Sequence, residues 1–356
     1  MGAGKLTMPR SPRNLSYSLA ALALYGAFAV YLYQPYFARF TTWHWLLPVN
    51  AVAAAAGCFV LSRRWVVGFS GSLLAGVVYG FGPFMLALGG FHPFAGLLAA
   101  SIPWLFMPAA HIGPRRRGLT STLLALLPFA AVVGFFLFFR LVARYRLFAV
   151  PIQPELKPTD LVGFLAPLVM VSRTAALPSL YHIPIAPLIL GLGMMVKARR
   201  FGVLAIILVG LALTFCRSYL GPGPVAWLGV SPILWLSIPL VCLAVLAGVG
   251  LQGLIDAGAS DRKWVLAVAI IQCVLAVLTL MLAAKYFQVI FGLADRYAQL
   301  FVEAAKMYLV GTLAVWIVYF MAWKQLRFRG LRWAVLIAAL GLDIYLGALH
   351  LIGQVL

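Results

Sequence analysis

The sequence predicts an all-α integral membrane protein of about eleven transmembrane helices. Hydrophobic residues make up 64% of the 356 residues and charged residues only 10%, and the mean hydropathy is +1.04. Apolar runs of roughly 18 or more residues recur from end to end, as expected of membrane-spanning helices. The alternating segments of a membrane barrel are not seen. We therefore expect one polytopic membrane domain over residues 1–356.

Short basic or polar turns divide the apolar sequence into eleven predicted spans. Helices are expected because every backbone polar group in lipid must be satisfied within its own segment. Three proline-containing stretches, at 82–83, 103–108 and 184–187, predict kinks. The spans cover about residues 16–33, 45–61, 65–85, 95–112, 119–139, 183–196, 201–215, 233–254, 264–284, 307–323 and 332–352.

The positions of the basic residues predict the orientation of these spans. Seventeen of the 27 Lys and Arg residues fall on one side, clustered in short turns such as 63–64 and 115–117. The positive-inside rule makes that side cytoplasmic, which places the N-terminus in the cytoplasm and the C-terminus outside. These turns account for the net charge of +20, so no nucleic-acid partner is expected. We expect a multi-pass protein of a bacterial inner membrane, in contact with membrane lipids.

Residues 140–182 form the longest stretch that does not read as a span, and we expect an extracytoplasmic loop with an interfacial helix. Glu155 and Asp160 lie there in a Pro-rich sequence. Either carboxylate is a candidate catalytic base. The alternative for Asp160 is to cap the interfacial helix that follows it.

Three arginines of the same region, Arg140, Arg144 and Arg173, are candidate ligands of an anionic group such as a lipid phosphate. Arg140 and Arg144 are four residues apart and would share one face of a helix. Their placement on the outer side opposes the positive-inside rule. The alternative is that these side chains extend to the outer headgroups without binding a substrate.

Other polar residues stand out against the apolar background. His92, His182 and Arg217 fall at predicted outer turns, where each could contact substrate or merely lie at the headgroup level. Asp343 falls near the middle of the last span, and an intramembrane carboxylate is a functional candidate. Residues 285–306 form a second polar outer segment.

The cysteines give no sign of a metal or disulfide framework. Cys58, Cys216, Cys242 and Cys273 fall in or beside apolar spans, with no CxxC pair or Cys/His cluster. We expect them to be buried as small hydrophobic residues. No cofactor is identified, and a divalent metal has no support from the sequence.

Several segments follow one another along most of residues 45–350, together with His92 in an outer turn and an Asp in the last span. They are NAVAAAAGCFVLSRRWVVGFSGSLLAGVVYGFGPFM, Ile102-Pro103-Trp104-Leu105, DLVGFLAPLVM, Tyr181-His182-Ile183-Pro184, VSPILWLSIPLVCLAVLAGVGLQGLI and LIAALGLDIYL. In this order they resemble YfhO-type bacterial membrane proteins, which belong to the C-type, polyprenyl-lipid-dependent glycosyltransferases.

The resemblance implies a glycosyltransferase-like helical bundle that binds a polyprenyl-phosphate-linked sugar at the outer face for envelope glycan modification. Two departures favour a degenerate or accessory form. The link QPYFARFTTWH lacks the acid that the family carries in its first outer loop, and Val230-Ser231-Pro232-Ile233-Leu234 lacks both arginines of the family's Pro-led span. The alternatives are a transporter of lipids or lipid-linked substrates, and a non-catalytic subunit of a membrane complex with a protein partner. Coupling carboxylates that face a central cavity would favour the transporter.

Overall fold

The computed structural model is helical through nearly all of the residues it describes, and no β-strand occurs among them. Seven helical segments of this part of the chain are long and apolar enough to cross a membrane. This is the architecture of a multi-pass α-helical membrane protein. The residues described are 13–64, 68–91, 93–107, 128–138, 141, 183–197, 201–220, 232–258, 261–289, 295–324 and 328–355.

The helices follow one another with short connections. A 3-10 helix, Gln34–Arg39, lies between the first two. The α-helices are α1 Arg13–Tyr33, α2 Leu46–Arg64, α3 Phe69–Gly80, α4 Pro83–Phe91, α5 Pro93–Leu105, α6 Pro128–Phe138, α7 Ile185–Lys197, α8 Phe201–Leu220, α9 Pro232–Trp235, α10 Ser237–Asp256, α11 Arg262–Val289, α12 Asp295–Trp323 and α13 Arg329–Val355.

The helices agree with the predicted spans in position. The seven long segments coincide with predicted spans one to three and eight to eleven. Four shorter apolar helices fall at predicted spans four to seven. Two predicted spans are interrupted: the third at Phe81 and Gly82, as its Gly-Pro pair predicts, and the eighth at Leu236. The number of membrane crossings stays a prediction, because four of the helices are too short to count as spans by themselves.

Helix α10 lies at the centre of the bundle, where it packs against α3, α7 and α8. Glycines allow the helix backbones to approach closely, as small residues do in membrane helices. A Cβ atom at Gly250 would overlap the Pro187 carbonyl, and one at Gly191 would overlap the Leu246 carbonyl. A Cβ atom at Gly248 would overlap the Gly71 carbonyl of α3. Helices α3, α7 and α10 therefore form a tightly packed core.

Helices α11 and α12 form a long antiparallel hairpin at the edge of the bundle. They contain 28 and 29 residues, or roughly 42 Å each, so they exceed the roughly 30 Å hydrocarbon layer. The predicted polar segment 285–306 is helical wherever it is described, because it forms the ends of these two helices. Most of α11 faces away from protein, with exposed residues such as Ile270, Val274, Val277 and Met281. This apolar face is suited to contact with lipid.

The ends of five helices meet at one end of the bundle. These are the start of α1, the end of α2, the start of α3, the end of α10 and the start of α13. All five are ends that the basic clusters assign to one side. The contacts are Arg63 over the Tyr17 ring (5.7 Å), Trp333 Nε1 to Ser70 Oγ (2.9 Å), Arg332 Nη1 to Ala257 O (2.5 Å) and Arg329 Nη2 to Asp256 Oδ1 (2.6 Å).

Candidate functional site

Most of the charged residues singled out in the sequence lie outside the described residues. Arg217 belongs to the last turn of α8, which places its backbone but not its side chain. Asp343 is the sequence-predicted site residue whose surroundings the structure shows. The residues outside the described ranges are Glu155, Asp160, Arg140, Arg144, Arg173, His92 and His182.

Asp343 lies in the middle of α13, half-buried in the bundle. It is 11 residues from Arg332, or about 17 Å along the helix. Arg332 lies at the basic end of the bundle, and the distance of about 17 Å from it is about half of the roughly 30 Å hydrocarbon thickness. Asp343 is therefore a carboxylate near the middle of a helix that is long and apolar enough to cross a membrane, and a charge at the middle of such a span is costly and commonly has a function.

A cavity of about 20 Å³ opens beside Asp343. It lies where the α11–α12 hairpin meets α13 and the start of α7, so residues from separate parts of the bundle line it. Its polar lining side chains are Asp343, Tyr308 and Gln272. The rest of its lining is apolar or glycine, including Pro184 and Gly311. Among the residues that the structure describes, no Lys, Arg or His lines it.

Gln272 and Tyr308 are polar residues of this cavity that the sequence analysis did not single out, and Gln272 is the more unusual of the two. It lies on α11, its exposed fraction is 5%, and its Oε1 atom has no hydrogen-bond partner in the structure. Gly311 of α12 makes room for it, because a Cβ atom there would come within 2.7 Å of Gln272 Nε2. A buried amide oxygen without a donor costs about 1–3 kcal/mol. The cavity therefore has an unsatisfied acceptor in its wall.

Two smaller cavities, of about 10 Å³ each, continue from the first toward the interruption between α3 and α4. One of them shares Asp343 and Pro184 with the first cavity, and it also touches Gly82 and Pro83. The other shares Gly82 and Pro83 and lies deeper, against Leu240 of α10. The three cavities thus form a row from the hairpin to the interrupted helix.

The interruption exposes helix ends in the middle of the bundle. Pro83 has no N–H, so it cannot donate to the Tyr79 carbonyl, and α3 ends with the bond from Phe81 N to Val77 O (2.9 Å). The Tyr79 hydroxyl donates to the Ala99 carbonyl of α5 at 2.7 Å, which fixes the end of α3. Irregular backbone at membrane depth is tolerated where it is buried or lines a cavity.

Helix α7 also begins at this depth. It has 13 residues, or about 20 Å, and it ends at Lys197. Its first residues, including Ile185, line the first cavity together with Asp343. The N-terminus of a helix carries a partial positive charge that favours a nearby carboxylate in its ionised form. The C-terminal end of α3 carries a partial negative charge. It lines, through Val78, the smaller cavity that shares Asp343 with the first.

This arrangement can hold a small polar species between a carboxylate and an amide oxygen. Among the described residues, no group of three His, Cys, Asp or Glu side chains could hold a metal ion.

No family model, no curated protein and no solved structure matches the chain.

Proposed function

We propose that the chain is a transporter of lipids or lipid-linked substrates in the inner membrane of a bacterium. In this proposal residues 1–356 cross the membrane eleven times, with the N-terminus in the cytoplasm and the C-terminus outside. The clustered ends of α1, α2, α3, α10 and α13 support the orientation, because that end of the bundle also carries Arg63, Arg329 and Arg332.

The observation that carries the transport proposal is the position of Asp343. It lines cavities at mid-membrane depth, beside an interrupted helix and the start of a half-length helix. Transporters commonly bind substrate and coupling ions near the midplane, at the ends of discontinuous helices. A cavity of about 20 Å³ is too small for a lipid headgroup, so it suits the coupling ion.

The substrate class follows from the predicted outer arginines. Arg140, Arg144 and Arg173 would face the headgroup of an anionic lipid or of a polyprenyl-phosphate-linked sugar. Such a substrate enters from the bilayer, which the apolar outer surface of the bundle permits. We assign these residues to substrate binding and Asp343 to coupling.

A second candidate function is that of a glycosyltransferase-like protein which uses the same polyprenyl-phosphate-linked sugar for envelope glycan modification, in a degenerate or accessory form. The order of the YfhO-like segments along the chain favours it. Asp160 or Glu155 would be the base, and His92, His182 and Arg217 would contact the substrate. The absence of an acid in residues 34–44 counts against full catalytic activity.

One reconstitution distinguishes the two functions. Purified protein is placed in liposomes that contain a fluorescent polyprenyl-phosphate sugar, and both lipid translocation and sugar release are measured. Transport predicts translocation without sugar release, with loss of translocation in Asp343→Asn. Arg140→Ala combined with Arg144→Ala should abolish it by weakening lipid binding, whereas Arg39→Ala, another cation of the predicted outer side, should not.

The other outcomes decide against transport. Sugar release that Asp160→Asn abolishes would establish the glycosyltransferase function instead. A chain that neither moves nor cleaves the lipid would contradict both functions and favour a structural subunit, which gentle co-purification of a protein partner would then identify.

A further inference from the structure

We propose that one anionic phospholipid binds at the basic end of the bundle, where α7 ends and α11 begins. Lys197 and Lys263 hold its phosphate group, and its acyl chains lie along the exposed apolar face of α11. Both lysines belong to the predicted cytoplasmic side, whereas the arginines assigned to the transported lipid belong to the predicted outer side. The inference is therefore independent of the proposed transport function.

Helices α7 and α11 pack against each other in opposite directions. Ile185, in the first turn of α7, shares a buried cluster with Ala276, near the middle of α11. Farther along α7, Gly193 lies against Trp264 in the first turn of α11, where a Cβ atom on the glycine would be 3.9 Å from the indole ring. The end of α7 and the start of α11 therefore lie side by side.

Two exposed lysines belong to this junction, one on each helix. Lys197 is the last residue of α7, four residues or about 6 Å beyond Gly193. Lys263 immediately precedes Trp264 on α11. Both lysines thus lie within about one helical turn beyond the level of the indole ring. A phosphate group at this level can contact both of them, and basic residues at a membrane surface attract anionic lipids in this way.

The carboxylates nearest in sequence to these lysines are engaged by other groups. Asp256 pairs with Arg329 at 2.6 Å. A carboxylate oxygen of Asp261 accepts a hydrogen bond from Gly258 N at 3.2 Å, and the neighbouring Arg262 offsets its charge. Among the described residues, no ion pair joins a carboxylate to either lysine. The junction therefore has an excess of positive charge, which is complementary to a phosphate.

The face of α11 below the junction favours a lipid over a soluble anion. Trp264 is more than half exposed, and Trp side chains are enriched at the level of the headgroups. Ile271, Val274 and Leu278 follow it at seven, ten and fourteen residues, on the same side of the helix, and all are exposed. Val274 is about 15 Å from Trp264 along the axis, about half of the roughly 30 Å hydrocarbon layer. The acyl chains of one leaflet can therefore lie along this face.

A second copy of the chain is a less favourable occupant of the same face. Two copies inserted in the membrane with the same orientation would meet with their α11 helices parallel. Such a contact would bring Arg262 and Lys263 of one copy close to the same residues of the other, and like charges repel. A lipid phosphate instead neutralises this charge.

The test is native mass spectrometry of the purified full-length protein after incubation in detergent with equal amounts of phosphatidylglycerol and phosphatidylcholine of the same acyl chains. We expect the wild type to retain phosphatidylglycerol in preference to phosphatidylcholine. Each basic residue near a membrane surface contributes roughly a fivefold factor to the binding of an anionic lipid, so Lys197→Gln combined with Lys263→Gln should weaken phosphatidylglycerol binding by roughly twenty-five-fold. An excess of glycerol phosphate, which lacks acyl chains, should not displace the lipid.

The matched control is Arg64→Gln combined with Lys324→Gln, which removes the same charge from two other exposed cations of the basic end. This variant should retain the lipid as the wild type does. Equal retention of both lipids by the wild type overturns the proposal, as does an equal loss in the two double variants. Displacement by glycerol phosphate, or a lipid-free dimer, overturns it as well. If the first double variant does not fold, Lys263→Gln alone decides: a fivefold loss is expected, and unchanged retention overturns the proposal.

Discussion

Gly250→Ala tests the central packing of the bundle. Gly250 lies on α10, and a Cβ atom there would overlap the Pro187 carbonyl oxygen and come within 2.8 Å of the Gly191 backbone nitrogen. All of these atoms belong to the α7 backbone, so no side-chain rotamer can make room. The added methyl group must therefore separate two helices along their length.

The expected magnitude combines two opposite effects. Alanine is more favourable than glycine in a helix interior by about 0.8–1 kcal/mol. Overpacking a tight core costs typically 1–3 kcal/mol, and the rigidity of the α7 backbone puts Gly250 at the upper end of that range. The net loss in the free energy of unfolding is therefore about 2 kcal/mol.

Gly26→Ala provides the control. Gly26 lies in the interior of α1, and a Cβ atom there would meet nothing within 4 Å, so only the helix-propensity gain applies. We expect Gly26→Ala to be as stable as the wild type or more stable, and Gly250→Ala to be clearly less stable. The measurement is unfolding of purified protein in detergent. Equal stability of the two variants would refute the close contact between α7 and α10.

Two further predictions concern the basic end of the bundle and the orientation of the chain. Arg332 is buried and donates to the Ala257 carbonyl at the end of α10. We therefore expect Arg332→Ala to lower the free energy of unfolding by about 1.5–3 kcal/mol. The control is Lys324→Ala at an exposed position, and an equal loss in both variants would contradict this role of Arg332. The predicted orientation places residue 64 in the cytoplasm and residue 306 outside. In a cysteine-free background, an impermeant maleimide should therefore label Lys306→Cys on intact cells, and Arg64→Cys only after lysis. The reverse labelling pattern would show that the orientation is inverted.

The sequence predicted the positions of the helices well because their main determinant is local. A run of apolar residues long enough for the bilayer must be helical, whichever neighbours it meets. Proline chemistry is equally local, so the helix interruption just before Pro83 was predictable and is confirmed. The same local rule identified Asp343 as a candidate, because an isolated carboxylate in an apolar run stands out without any knowledge of packing.

The faces of the helices could not be predicted in the same way. In a soluble protein, polar residues mark the outward face of a helix, but lipid is as apolar as a protein core. The prediction that all four cysteines are buried was wrong for this reason: Cys58 and Cys242 are buried, whereas Cys273 is exposed on α11. Gln272 was missed because a single glutamine in an apolar span acquires meaning only from its neighbours on other helices. The role of the outer charges stays a prediction, because Glu155 and its neighbours lie outside the described residues.

The polar residues of the first cavity make a purely structural role for it unfavourable. An Asp at the centre of a membrane helix costs about 2.5–3.5 kcal/mol, and the unsatisfied Gln272 oxygen adds about 1–3 kcal/mol. Together they approach the lower end of the 5–15 kcal/mol by which folded proteins are stable. The proposed coupling role gives these polar side chains a use, because transporters with discontinuous helices commonly bind coupling ions near the membrane midplane. Lipid translocation by the Asp343→Asn variant is therefore the measurement on which the functional interpretation depends most directly.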